Sequence, residues 1–221
     1  MKSICNFAYA RTRQGSARFP DVKGLVRYLQ YRDTRSQHIP GAGDPDRWVD
    51  GGLGTHYRAI LSRLDELSPA NQHAYCHALV ISPDPETMAE IEGDPKERFV
   101  EAVQASLEEW EAWRLEHDPR PQVGAIEYSF VVHRPQREYG EQMHAHVIFA
   151  AATEHPMTRE RSPLYNNQPE IEGFKEIVYR QLDRAFELDR ERDRPEPGPE
   201  IGLDLRPDIS GLDRDIPFHG R

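Results

Sequence analysis

Cysteine is scarce in this sequence: Cys5 and Cys76 are the only two in 221 residues. Two thiols exclude a disulfide framework and a thiolate-built metal site, and they fit a reducing, cytoplasmic setting. Long apolar runs are lacking as well. No window approaches the length that spans a bilayer, so no membrane partner is expected. The opening stretch Met1 to Ala10 reads as a short alternating strand rather than a signal peptide, because Asn6 breaks it and Arg11 and Arg13 follow. There is no internal repeat. Glutamate is missing from residues 1–60, where ten Lys or Arg stand against five Asp. That part of the chain carries +5 of a formal net charge of −10, which leaves −15 for the remainder. Overall acidity argues against a nucleic-acid partner, yet this distribution allows a basic face on an acidic protein. Most of the cations are Arg, whose planar fork suits phosphate.

Histidine is present in a pattern. His133 ends the apolar run Ser129-Phe-Val-Val132, and His144-Ala-His146 opens the run Val147-Ile-Phe-Ala150. Residues two apart on a strand point to one face, and a hairpin between the runs brings His133 back beside the other two. Neutral imidazole is the commonest side-chain metal ligand, and three of them leave coordination positions open for a substrate oxygen. The remaining histidines, His38, His56, His73, His77, His117, His155 and His219, read as structural or solvent-facing. His77 is the most ambiguous of these, because it opens an apolar run.

The periodicities predict strands over 3–10 and 74–82, helices over 21–32 and 57–67, and a loop over the Pro-, Gly- and Asp-rich residues 39–54. A long helix near 95–116 starts at Pro95 behind Asp94 as N-cap and buries Phe99, Val103, Leu107, Trp110 and Trp113. Strands over 123–132 and 144–152 form the histidine hairpin, and a last helix spans about 170–189. The order of elements predicts an α+β domain over residues 1–190, an antiparallel β-sheet with helices packed on it, covering one face. From 191 to 221 the charged, Pro- and Gly-rich composition predicts a solvated tail.

The spacing His133-x10-His144-x-His146 resembles the metal-binding motif of the HUH endonucleases, which include the relaxases and the rolling-circle replication initiators. His77-Ala-Leu-Val-Ile-Ser82, a long helix, and then Ala125-Ile-Glu-Tyr-Ser-Phe-Val-Val-His133 is similar to the middle of mobilisation (MobA-type) relaxases. Gly24-Leu-Val-Arg-Tyr28-Leu-Gln-Tyr31-Arg-Asp33 is similar to their N-terminal tyrosine segment. The resemblance implies a relaxase-like fold and a metal-dependent enzyme that nicks and rejoins single-stranded DNA through a 5′ phosphotyrosine. It implies His133, His144 and His146 as metal ligands and Tyr28 or Tyr31 as nucleophile. These two tyrosines stand one helical turn apart on one side of the predicted helix. Arg11, Arg13, Arg27 and Arg32 are the candidate DNA contacts. The implied cofactor is a divalent ion, Mn or Mg first, although three imidazoles also suit Zn, Ni or Co. The implied partners are single-stranded DNA and accessory DNA-binding or conjugation proteins.

Some features depart from the family. Arg134 and Pro135 follow His133 where many relaxases carry an acidic residue, and Glu127 and Glu141 are the candidates for orienting an imidazole or accepting the tyrosine proton. The helicase or primase extension of larger relaxases is absent, so a minimal relaxase is expected. Two alternatives stand beside it. One is a rolling-circle initiator or transposase-like nuclease with Tyr179 as nucleophile, and the other is a non-catalytic nucleic-acid-binding protein of the same fold.

Overall fold

The apolar runs 76–82, 128–133 and 144–150 pair with one another to form the middle of an antiparallel sheet. The computed structural model describes residues 4–10, 21–35, 48–71, 73–83, 95–118, 122–133, 143–166 and 168–186, with the backbone alone at 4–10, 32–35 and 168. Its strands are β1 (Ile4–Ala10), β2 (Trp48–Gly51), β3 (Cys76–Ser82), β4 (Tyr128–His133), β5 (His144–Ala150), β6 (Ala152–Glu154) and β7 (Arg161–Pro163). Its helices are α1 (Val22–Arg35), α2 (Tyr57–Leu67), α3 (Pro95–His117) and α4 (Gln168–Ala185), with a 3-10 turn at Ser68–Ala70. All of them lie within one unit, Met1–Leu188.

β1 to β5 form a five-stranded sheet in the order β1-β3-β5-β4-β2, every neighbouring pair antiparallel. β6 and β7 form a separate two-stranded ribbon. Alternation along the strands sends successive side chains to opposite faces, and each face has its own apolar layer. Leu79, Ile81, Phe130, Val132, Ala145, Val147 and Phe149 meet Phe99, Val103, Leu107 and Trp110 of α3 and Phe174, Ile177, Val178 and Leu182 of α4. Cys76, Val131, Ile148 and Ala150 meet Val22, Val26 and Leu29 of α1 and Ile60, Leu61, Leu64 and Leu67 of α2. Helices therefore cover both faces, not the single face that the order of elements suggested. A helix with an apolar stripe must bury it, but the stripe does not say which side of a sheet receives it.

Local chemistry starts α1, α2 and α3. The Asp21 carboxylate accepts from the Lys23 backbone N–H at 3.1 Å at the head of α1. His56 Nδ1 accepts from the Arg58 backbone N–H at 3.2 Å at the head of α2, which supplies one of the partners that a helix start lacks. Pro95 opens α3, where its missing N–H costs nothing.

β2 is a strand inside the predicted loop 39–54, and tertiary pairing creates it: Trp48, Val49, Asp50 and Gly51 line up against Val131, Phe130, Ser129 and Tyr128. Gly51 is required there, since a Cβ at that position would stand 2.3 Å from the Tyr128 ring. Residues 123–127 lie outside β4, which is shorter than predicted.

Candidate functional site

In β4 and β5, the register that buries Phe130, Val132, Val147 and Phe149 toward α3 and α4 leaves the alternate positions facing α1 and α2. His133 is paired directly with His144, and Val131 with His146. By alternation, His133, His144 and His146 all project from the same face as Val131 and Ile148. Their ring centroids form a near-equilateral triangle, 5.3 Å from His133 to His144, 5.3 Å from His133 to His146 and 4.9 Å from His144 to His146. His133 is fully buried, and the other two are partly exposed.

Three imidazoles bound to one ion through bonds of about 2.0–2.1 Å place their ring centres roughly 5 Å apart. The triangle has that size. No group of three His, Cys, Asp or Glu among the described residues yet converges its donor atoms in metal-holding geometry. The spacing of the centroids is set by the backbone register of β4 and β5. The donor set fits a divalent cation. It leaves open positions for oxygen ligands.

α1 carries Tyr28 and Tyr31 over the same face of the sheet. Tyr28 is half-buried against the apolar layer that contains Val131 and Ile148. Tyr31, also half-buried, meets the ring of Tyr57 edge-on, at 6.1 Å between centroids. Buried Gln30 lies between them in sequence and ties the helix down, its side-chain carbonyl accepting from the Tyr57 backbone N–H at 2.6 Å. Arg58 Nε donates to the Tyr57 hydroxyl at 3.1 Å, and its guanidinium lies 5.7 Å from that ring. The Tyr57 hydroxyl raises the Arg58 pKa, with a smaller contribution from Tyr31. Gln30, Tyr57 and Arg58 escaped the sequence reading. Adjacent Tyr57-Arg58 at a helix start was the available signal, but its meaning depends on α1 lying alongside.

The other predicted residues have distinct fates. Arg27 is exposed on α1, and Arg32 lies in the same helix with its side chain outside the described residues. Arg11, Arg13, Glu141, Arg134, Pro135 and the tail from 191 are outside the described residues altogether. Glu127 does not orient an imidazole. Arg63 holds both its oxygens, at 2.7 and 2.6 Å. It precedes β4 at the end opposite His133, roughly 20 Å away along the strand. The same Arg63 reaches Glu154, which Arg161 and Arg159 also pair. These partners, Arg161 first, hold the Glu154 carboxyl below its ordinary pKa. Tyr179 sits on α4, whose apolar side packs on the sheet face away from the imidazoles.

Of the histidines read as structural or solvent-facing, His73 and His117 are exposed and His77 is buried. His77 is buried toward α3 and α4, and its Nε2 lies 3.0 Å from the Leu164 carbonyl oxygen. His155 Nδ1 accepts from the Met157 and Thr158 backbone N–H groups in the turn after β6. His117 stacks on Trp113 at 4.6 Å.

Charge divides across the sheet. The helices over the imidazole face contain six Lys or Arg (Lys23, Arg27, Arg32, Arg35, Arg58, Arg63) and three acids (Asp33, Asp65, Glu66). The helices on the far face contain six Lys or Arg (Lys96, Arg98, Arg114, Lys175, Arg180, Arg184) and ten acids. By composition, the two helices over the imidazole face are the more basic pair.

This architecture is an α+β fold that resembles the relaxase TrwC. The solved structures that it resembles include TrwC complexed with a 27-mer DNA comprising the recognition hairpin and the cleavage site, at a TM-score of 0.55, 13% identity and coverage of 83% of this chain and 69% of that one. The metal-bound conjugative relaxase TrwC in complex with oriT DNA matches with a TM-score of 0.54 and 16% identity over 83% and 70% of the two chains. Its metal-free counterpart gives 0.52 and 16% over 83% and 69%. No protein-family model and no curated protein sequence matches the chain. The likeness is one of fold. No helix among the described residues is long and apolar enough to cross a membrane.

Proposed function

We propose that this chain is a metal-dependent relaxase that nicks and rejoins one DNA strand through a 5′ phosphotyrosine, of the mobilisation (MobA-type) kind. The observation that carries the reading is the triangle of imidazoles on the sheet face that the tyrosine-bearing helix covers. The fold it shares with TrwC, whose structures hold DNA and include a metal-bound complex with oriT DNA, supports it.

In this reading His133, His144 and His146 hold a divalent ion, Mn or Mg first, which when bound supplies Lewis-acid polarisation of a non-bridging phosphate oxygen. The hydroxyl oxygen of Tyr28 attacks phosphorus, the new bond joins tyrosine to the 5′ phosphate, and the bond to the 3′ oxygen breaks. The 3′ oxygen leaves as a hydroxyl, and the phenolic proton passes to solvent. Reversal of these bonds reseals the strand without an external energy source. Tyr31, one turn along α1, is the alternative nucleophile, and Tyr179 is disfavoured by the intervening sheet. Arg27, with Arg11, Arg13 and Arg32, contributes to holding the strand. Accessory DNA-binding proteins would select the origin.

The test is a covalent adduct. The full chain is incubated with a labelled single-stranded oligonucleotide pool and Mn, denatured, and the modified peptide is mapped by mass. Tyr28 should carry the nucleotide, and Tyr28→Phe should abolish the adduct. Cleavage that survives simultaneous His133→Ala, His144→Ala and His146→Ala substitution would refute metal-assisted chemistry at this site.

A further inference from the structure

The groove between α1 and α2 is lined by Lys23, Tyr57, Arg58, Leu61, Ser62 and Asp65, with a volume of about 460 Å³. It is open to solvent, unlike an enclosed small-molecule pocket. Its two cations are exposed, and among the described residues neither has a carboxylate partner. Arg27, Arg98 and Arg184 likewise lack a carboxylate partner among the described residues, whereas Arg63, Arg114, Arg159, Arg161, Lys175 and Arg180 are ion-paired. The one acid in the lining, Asp65, accepts from the Tyr75 hydroxyl at 2.8 Å through Oδ1, and the lining keeps one cation in excess.

Arg58 is also held in place. Its Nε donates to the Tyr57 hydroxyl, and its guanidinium lies beside the Tyr57 ring. The ring in turn is braced by His56 at 4.6 Å and Tyr31 at 6.1 Å. An open groove with two exposed cations against one carboxylate and a braced aromatic–guanidinium wall combines the two elements by which proteins hold unpaired nucleotides, backbone charge and a stacking surface. A duplex offers no such free base.

We infer that this groove is a nucleotide subsite for single-stranded DNA, in which Lys23 and Arg58 hold backbone phosphate and a base packs against the Tyr57–Arg58 wall. The inference rests on single-stranded DNA being the substrate, as proposed above, but not on which tyrosine attacks or on the ion. It places the strand on the same two helices that cover the imidazoles.

Binding is measured by fluorescence anisotropy with a labelled dT oligonucleotide in EDTA, from 50 to 300 mM salt, so that cleavage plays no part. Each phosphate contact on a single strand contributes roughly 0.7 to the slope of log K against log salt. The Lys23→Ala, Arg58→Ala double variant should flatten that slope by about 1.4. Arg58→Lys should keep most of it. Tyr57→Leu should weaken binding roughly 5- to 150-fold with the slope unchanged, and Tyr57→Phe should weaken it less. Arg184→Ala, on the far face, is the control and should change nothing. Thermal melts confirm that each variant is folded.

An unchanged slope in the double variant, an equal flattening by Arg184→Ala, or equal competition by duplex DNA each overturns the subsite. So does a wild-type chain that does not bind the oligonucleotide. Adduct formation on the same preparations separates the two readings: nicking with an unchanged slope refutes the groove alone, and strand binding without any adduct refutes the relaxase alone.

Discussion

Acid should destabilise this protein through His77 before its carboxylates matter. Burial drives the His77 pKa down from 6.5 to about 4, with the nearby Arg114 guanidinium adding to the effect and the Leu164 carbonyl opposing it. Between those two values the unfolded chain binds a proton that the folded chain refuses. Stability therefore falls as pH drops through 6.5 and stops falling on this account near pH 4. The full shift corresponds to about 3 kcal/mol at 1.36 kcal/mol per pH unit, of which about 2.5 kcal/mol is lost between pH 7.5 and 4.5. For a domain of this size that is a fall of roughly 5–10 °C in melting temperature. The comparison is with His77→Gln, whose amide can donate to the Leu164 carbonyl but cannot take up a proton. Any fixed packing cost of the substitution appears at both pH values and cancels, as does the Glu154 carboxyl, whose own stabilisation is lost only as pH falls below the ordinary carboxylate range. Urea unfolding of both proteins at pH 7.5 and 4.5 gives four free energies. The gap between wild type and variant should move by about 2.5 kcal/mol in favour of the variant at pH 4.5. Parallel pH dependence in the two proteins would refute the assignment of a buried neutral imidazole.

Three further expectations test other parts of the molecule. Arg114, buried between α3 and α4, pairs with Asp118 at 2.8 Å and Glu170 at 3.4 Å; Arg114→Ala strands those carboxylates and should cost about 3–5 kcal/mol in chemical denaturation, and a loss below 1 kcal/mol would show that water replaces the guanidinium. A Cβ at Gly124 would stand 2.0 Å from the Glu154 carbonyl oxygen, so Gly124→Ala must shift backbone; a loss of more than about 2 kcal/mol is expected, and an unmoved urea midpoint would contradict the packing. Mn or Zn at 100 times its dissociation constant should stabilise the fold by about 2.7 kcal/mol, roughly 5–10 °C in a thermal melt. His144→Ala and EDTA should each abolish that rise, and a rise that persists in His144→Ala would place the ion elsewhere.

The readily legible elements were those whose own residues carry a period or a cap. α2 has the predicted bounds, Tyr57–Leu67, and α3 starts at Pro95 and buries Phe99, Val103, Leu107 and Trp110. The pairing of His144 with His146 on one face follows from a strand period of two, and the return of His133 follows from the hairpin. The misses share a cause. β2 is four residues ending at Asp50 and Gly51, and it is a strand because β4 supplies its hydrogen bonds. Glu127 looked available to the site because its partner, Arg63, is 64 residues away in the chain. The β6–β7 ribbon went unpredicted because strands of three residues have too few positions to show a period.

By itself the sequence determined which residues can do chemistry and, through short-range periodicity, how neighbours in one strand or helix turn is oriented. It could not determine sidedness. That α1 and α2 lie over the imidazoles, while α3 and α4 and with them Tyr179 lie beyond the sheet, follows from how two apolar layers share five strands. The groove formed by Lys23 and Arg58 likewise exists only once two helices, more than 20 residues apart in the chain, pack side by side. Side-chain period is a local property of the backbone, whereas the face on which a helix is buried is settled by every element competing for the same sheet.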